Sequence, residues 1–297
     1  ASPVLKDRFS WLLKGLLFFQ ALLIVSGGAV RLTGSGLGCP TWPTCTGPSY
    51  TPVPHQAQGQ LHAWIEFGNR LIAWFIFILA VISILTLIRN FKNRSDYRKL
   101  RLLLTFQLLG FLAQAILGGI TVLTKLNPFA VSAHFLLSIP LVAGALTLVY
   151  LFNQNQEIVL DSITARISKL FLSSITLLII LGTVVTGSGP LSGDLQAKRY
   201  HLDEAKIARL HSYIAIASLI FLIGLIISVK RISGEVKVNK FLNSLWLMFG
   251  LLLLQGVIGY WQFNQGLPEL LVGLHLVGVT LIWITAWHIH LQTRRAK

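Results

Sequence analysis

Residues 71–88 read LIAWFIFILAVISILTLI, eighteen positions without a charge, closed by Arg70 on one side and Arg89 on the other. A helix rises about 1.5 Å per residue and the hydrocarbon layer of a bilayer is about 30 Å thick, so the run is nearly long enough to cross. Carried outward to its less polar flanks, it predicts a span over 62–88. Seven more runs of similar length follow from the same reading: 11–30, 102–123, 129–152, 169–187, 207–229, 241–263 and 269–290. Lipid offers no partner to an exposed backbone N–H or C=O, so all eight are read as helices and not as open strands. The whole composition agrees. The 297-residue chain is 54% hydrophobic and 12% charged, against about 25% charged residues in a soluble domain. The expected fold is an all-α polytopic membrane protein, which excludes a soluble enzyme and a disordered chain. The first run reads as a span and not as a cleaved leader. Leu37-Gly38-Cys39 resembles a lipoprotein box but lies too far beyond it.

The formal net charge is +15. Its distribution follows the eight spans. Eighteen of the 25 basic residues fall at the termini and the even connections: Lys6, Arg8, Lys14; Arg89, Lys92, Arg94, Arg98, Lys99, Arg101; Arg166, Lys169; Lys230, Arg231, Lys237, Lys240; Arg294, Arg295 and Lys297. The other seven are Arg31, Arg70, Lys125, Lys198, Arg199, Lys206 and Arg209. Lysine and arginine concentrate on the cytoplasmic side, so both termini are expected there. The basic excess is a matter of topology, and no nucleic-acid partner is needed to explain it.

The chain also repeats itself. Gln114-x-x-x-Gly118 is followed by His134, and Gln255-x-x-x-Gly259 by His275 at the same spacing. Thr33-Gly34-Ser35-Gly36 closes the first span and Thr186-Gly187-Ser188-Gly189 the fifth. This predicts two pseudo-symmetric four-helix bundles, 1–153 and 154–297, related by an axis along the membrane normal.

An ionisable group within a span is costly and is a functional candidate by default. His62, Glu66 and Arg70 lie in the second span with Asn69 among them, His134 in the fourth, His211 in the sixth and His275 in the eighth. Each stands within about two turns of the outer boundary. They form one layer near the outer face. Two histidines on facing helices can hold a haem iron from both sides, the reading given to His211 and His275; the plainer alternative is a polar contact between helices. In the first half His134 matches His275. Asn69 stands where the second half has His211, and an amide is a poor iron ligand. A haem there would be held through one histidine, or His62, on the same helical stripe, would serve as second ligand. Glu66 and Arg70 are spaced for an i,i+4 ion pair, a common way to tolerate charge in a span. The sharper reading is a carboxylate beside an open haem face that moves protons or steadies a developing cation.

His55 and His201 read as solvated loop residues, and His288 and His290 as snorkelling to the cytoplasmic interface. A stack of two haems through His275 and His288 would need a second histidine at matching depth on the partner helix; the sixth span has none beyond His211, and the positions 13 and 14 after His134 are Thr147 and Leu148. Cys39 and Cys45, in Cys-Pro-Thr-Trp-Pro-Thr-Cys, lie in an outer loop where oxidation is favoured, and are expected to pair. Such a disulfide either staples the loop or passes electrons near the site.

The stretch Gly27 to Cys45, GGAVRLTGSGLGCPTWPTC, followed by Glu66-Phe67-Gly68-Asn69-Arg70, resembles haem A synthase, and the likeness extends over essentially the whole chain. The resemblance implies an oxidoreductase that converts the C8 methyl of haem O to a formyl group, giving haem A for terminal oxidases. It implies a haem b cofactor in the C-terminal half on His211 and His275. It implies a substrate haem in the N-terminal half on His134, with Glu66 assisting at the methyl and Cys39 and Cys45 as the outer-loop pair. One departure is Asn69, where many members have histidine; the second ligand of the substrate haem stays open between none and His62. Arg31 and Arg70 are propionate candidates, because guanidinium pairs well with carboxylate. The expected setting is the plasma membrane, with haem O, an electron acceptor, membrane lipid and a haem O synthase as partners and homo-oligomerisation left open. A membrane b-type cytochrome or a haem carrier is the alternative. A transporter ranks last, since Pro140 is the one strong helix breaker near a midplane.

Overall fold

The structure, a computed structural model, describes residues 2–155, 157–231 and 236–295. Lys297, counted above among the C-terminal basic residues, lies outside them. Among the described residues eight helices occur in chain order: α1 (Pro3–Leu32), α2 (Gln60–Asn90), α3 (Tyr97–Leu123), α4 (Pro128–Phe152), α5 (Ser162–Ser188), α6 (Glu204–Lys230), α7 (Val236–Asn264) and α8 (Glu269–Leu291). Each is long and apolar enough to cross a membrane. The chain is a multi-pass membrane protein. The helices run further than the apolar runs because polar side chains extend their ends: Ser2 accepts from the Leu5 amide at the start of α1, Asn127 from Phe129 at α4, and Asp203 from Lys206 at α6.

Two short strands were not expected. β1 (Ile158–Leu160) pairs in parallel with β2 (Thr293–Arg295). Each lies in the polar segment just outside a span, where the backbone has left its helix and takes partners from a neighbouring segment.

The chain forms two compact units. The first is Ala1–Asn153 with Thr186–His201, the second Gln154–Val185 with Leu202–Lys297. In the first unit α1 packs on α2 and α4, α2 on α3, and α3 on α4. The ring leaves α2 and α4 on a diagonal. Its end at the start of α1 is closed by the rings of Phe9, Phe91 and Phe152, 4.8 to 5.3 Å apart. Arg94 caps this cluster, bonding Asp96 twice at 2.8 Å and the Phe152 carbonyl at 3.1 Å. Midway, Gln20 donates to Gln107, which donates to the Leu141 carbonyl, both at 2.8 Å. Interhelical bonds of this kind supply specificity where lipid gives no hydrophobic drive between helices. Pro140 sits inside α4 without ending it. In the second unit α6 packs on α7 and α7 on α8.

The two Thr-Gly-Ser-Gly stretches differ. After Leu32, Gly34 turns left-handed (φ 68°), and the Ser35 amide reaches the Val30 carbonyl at 2.8 Å. This is a glycine-terminated helix end. The second closes its helix later, between its third and fourth residues: α5 runs through Ser188 and ends before Gly189. Gly187 is needed there for close approach, because a Cβ on it would strike the Tyr200 ring.

Candidate active site

In the first unit the disulfide loop is bound onto α2. Cys39 and Cys45 form the expected disulfide (S–S 2.09 Å). The Cys39 amide donates to Glu66 Oε2 at 2.6 Å, and Arg70 Nη2 donates to Glu66 Oε1 at 2.6 Å. Arg70 also donates to the carbonyls of Thr44, Cys39 and Thr41 at 3.1 to 3.2 Å. The sequence reading of Glu66 and Arg70 as an ion pair is realised, but the pair does more: it is the seam between helix and loop. Glu66 is 6% exposed, and burial strengthens bonds made to a charged acceptor. Gln56 ties the loop from outside, donating to the Gly38 carbonyl at 2.7 Å. Gly38 lies so close to the His62 carbonyl that any side chain there would collide. Trp42 lies against Gly119 of α3.

His62 is bonded through Nδ1 to Ser35 Oγ (2.9 Å), which meets Thr33 Oγ1 (2.7 Å). The Thr33 hydroxyl donates to the Ala29 carbonyl at 2.8 Å. A hydroxyl has one proton. With Thr33 donating to Ala29, Ser35 donates to Thr33 and His62 donates from Nδ1, which leaves Nε2 as the basic nitrogen. Asn69 accepts from Ser26 of α1 at 2.6 Å. Arg31 contrasts with Arg70: its buried Nε has no hydrogen-bond partner.

His134 stands on α4, across the diagonal from α2, with a buried Nδ1 that has no hydrogen-bond partner. In the second unit the Nδ1 atoms of His211 and His275 are in the same condition. These two sit on α6 and α8, the outer members of the α6–α7–α8 series, and His275 lies within electrostatic reach of His211. Buried polar atoms are normally satisfied. Three imidazoles left incomplete by protein groups are a donor set that fits the axial ligation expected from the sequence. Gln114 and Gln255, the first residues of the repeated pattern, each keep a buried Oε1 without a partner. His55 and His201 are exposed, as expected for loop residues.

Sequence reasoning did not find Ser26, Ser35, Gln56 or Gly182. The first three are ordinary polar residues whose partners lie on other elements, and Gly182, which packs against His211, belongs to no pattern in the chain.

Residues 10–191, about three fifths of the chain, match the model of the cytochrome oxidase assembly protein family COX15-CtaA. His211 and His275 lie beyond that match. Among curated proteins, the Heme A synthase of Shewanella oneidensis is 33% identical over 196 residues, 61% of this chain and 56% of that protein. That of Geobacillus kaustophilus is 29% identical over 134 residues, 45% of this chain and 39% of that protein. That of Staphylococcus epidermidis is 33% identical over 127 residues, 43% and 38%. The chain thus spans little more than half the length of these relatives at most.

Proposed function

The chain belongs to the COX15-CtaA family of cytochrome oxidase assembly proteins, and from that premise we propose that it converts haem O to haem A, oxidising the C8 methyl to a formyl group for use by terminal oxidases. The observation that carries this reading is the buried Glu66 carboxylate, fixed by helix and disulfide loop in the same unit as His134, an imidazole with a nitrogen unmet by protein. The half 1–153 takes the substrate and the half 154–297 holds a resident haem b on His211 and His275. When bound, that haem supplies a one-electron acceptor for the oxidation. The site lies near the outer face of the cell membrane, and both termini are cytoplasmic.

The chain's own residues do the following in this reading. His134 ligates the substrate haem. Glu66 stands ready to take a proton from attacking water and to steady positive charge at the methyl. Arg70 holds that carboxylate still. Arg31, with an unmet buried nitrogen, is the better propionate partner, since Arg70 already serves four acceptors. Asn69 is held away from iron ligation by Ser26, and His62 keeps a basic Nε2 for either ligation or proton transfer. A haem O synthase would supply the substrate, and a separate acceptor would remove the electrons.

The test is extraction and chromatography of haems from protein made with and without haem O. Haem b alone without haem O, and haem A or its alcohol precursor when it is supplied, is expected. Haem b under both conditions, with an electron acceptor present, would overturn the synthase reading in favour of a cytochrome or carrier. Labelled water then tests the role given to Glu66: formyl oxygen without the label, with solvent exchange controlled, would exclude water attack.

A further inference from the structure

Four side chains among the candidate site positions share one kind of neighbour. Asn69 on α2 lies against Gly27 of α1, His134 on α4 against Gly118 of α3, His211 on α6 against Gly182 of α5, and His275 on α8 against Gly259 of α7. In every case the glycine comes from the helix that precedes in the chain. A Cβ built on Gly118, Gly182 or Gly259 would stand 3.2, 3.4 or 3.3 Å from Cε1 of its histidine, and one on Gly27 would stand 4.0 Å from Oδ1 of Asn69. None of the four has a left-handed φ, so no turn demands glycine. Within a helix, glycine costs about 1 kcal/mol relative to alanine. A packing reason at all four positions is therefore the economical explanation.

The contacted atom narrows that reason. Cε1 lies between the two ring nitrogens, so the imidazole rests its nitrogen-bearing edge on bare helix backbone. A methyl group at 3.2 to 3.4 Å would force the ring to yield by tilting, and the tilt would swing the nitrogens. We propose that Gly118, Gly182 and Gly259 are positioning residues that seat these three imidazoles, setting the ring orientation in which each presents a nitrogen to a haem iron. Asn69 fills the fourth seat without an imidazole. The inference rests on the haem ligation given under the proposed function.

The experiment uses the full chain purified in detergent. In Gly182→Ala and Gly259→Ala the low-spin electron paramagnetic resonance signal of the resident haem shifts, and haem retention through gel filtration falls about tenfold, as when other supports of a metal ligand are altered. Gly118→Ala leaves that signal alone and changes only the spectrum that appears on adding haem O. Gly250→Ala and Gly256→Ala, at α7 positions where a Cβ meets nothing within 4 Å, match wild type. Wild-type signal and retention in Gly182→Ala and Gly259→Ala would overturn the seats. Should Gly259→Ala fail to fold, His275→Ala is titrated with free imidazole, alone and together with Gly256→Ala or Gly259→Ala. The Gly259→Ala pair needs about tenfold more imidazole to regain the low-spin spectrum, and equal demand, or a pair that again fails to fold, overturns the proposal. Wild-type protein without any haem would instead overturn the ligation itself, and the seats with it.

Discussion

Glu66 has each carboxylate oxygen on a fixed donor, one from the loop and one from its own helix. Glutamine can still accept from the Cys39 amide but brings no charge. Glu66→Gln is therefore expected to keep haem binding and to lower haem A formation by about a hundredfold or more, read by chromatography of extracted haems; full activity would remove Glu66 from the chemistry. Arg70 makes a different prediction. Its planar fork reaches Glu66 and three carbonyls at once, which an ammonium cannot do. Each charge-assisted bond lost is worth about 1.5–3 kcal/mol, so Arg70→Lys should open the loop about tenfold or more often. Dithiothreitol should then reduce Cys39–Cys45 correspondingly faster, and an unchanged rate would mean that Gln56 and the backbone hold the loop alone. The i,i+4 spacing of Glu66 and Arg70 was legible in the sequence. The carbonyl partners, 26 to 31 residues away, were not, because backbone acceptors carry no residue signature.

Among the elements, the first unit depends on few polar ties inside an apolar ring. Gln107 is 1% exposed and links Gln20 to the Leu141 carbonyl. Gln107→Leu should cost about 1 kcal/mol, the usual worth of a bond between membrane helices, measured by unfolding in mixed micelles. Spectra of bound haem should not change, since the tie lies away from His134. At the other end of α2, the hydrogen bonds from Arg94 hold the Asp96 carboxyl below the usual carboxylate range. A carboxyl lowered in this way adds stability above its unfolded pKa and loses it as pH falls through the folded value. Asp96→Asn should therefore lower thermal stability in the neutral region and flatten the acid limb, the two proteins converging at low pH; an unaltered profile would show that the pair contributes nothing. The glycine stretches teach a related lesson. The same four letters follow α1 but overlap the last turn of α5, because Gly34 is needed for its φ and Gly187 for the Tyr200 ring beside it.

Over the whole molecule, the asymmetry of basic residues makes the prediction. Reporters placed in the 91–96 connection should score as cytoplasmic and those in the loop at 48–55 as external. The reverse pattern would put the disulfide loop on the reducing side and remove the argument for the Cys39–Cys45 pair. The repeat adds a second expectation, that the halves carry like sites. Gln114 with His134 and Gln255 with His275 keep their spacing, and both glutamines bury an unmet oxygen.

The sequence by itself determined the eight spans and the disulfide. Transfer of a side chain into lipid is nearly additive along the chain, and the six-residue separation of Cys39 and Cys45 is local. The tertiary structure alone decided that Arg70 clasps the loop, that Ser26 takes the Asn69 oxygen, that β1 meets β2, and that His134, His211 and His275 each rest on a glycine of the preceding helix. Those facts turn on contacts between segments far apart in the chain. Their energies depend on distance and direction between two side chains, which no single stretch of residues encodes.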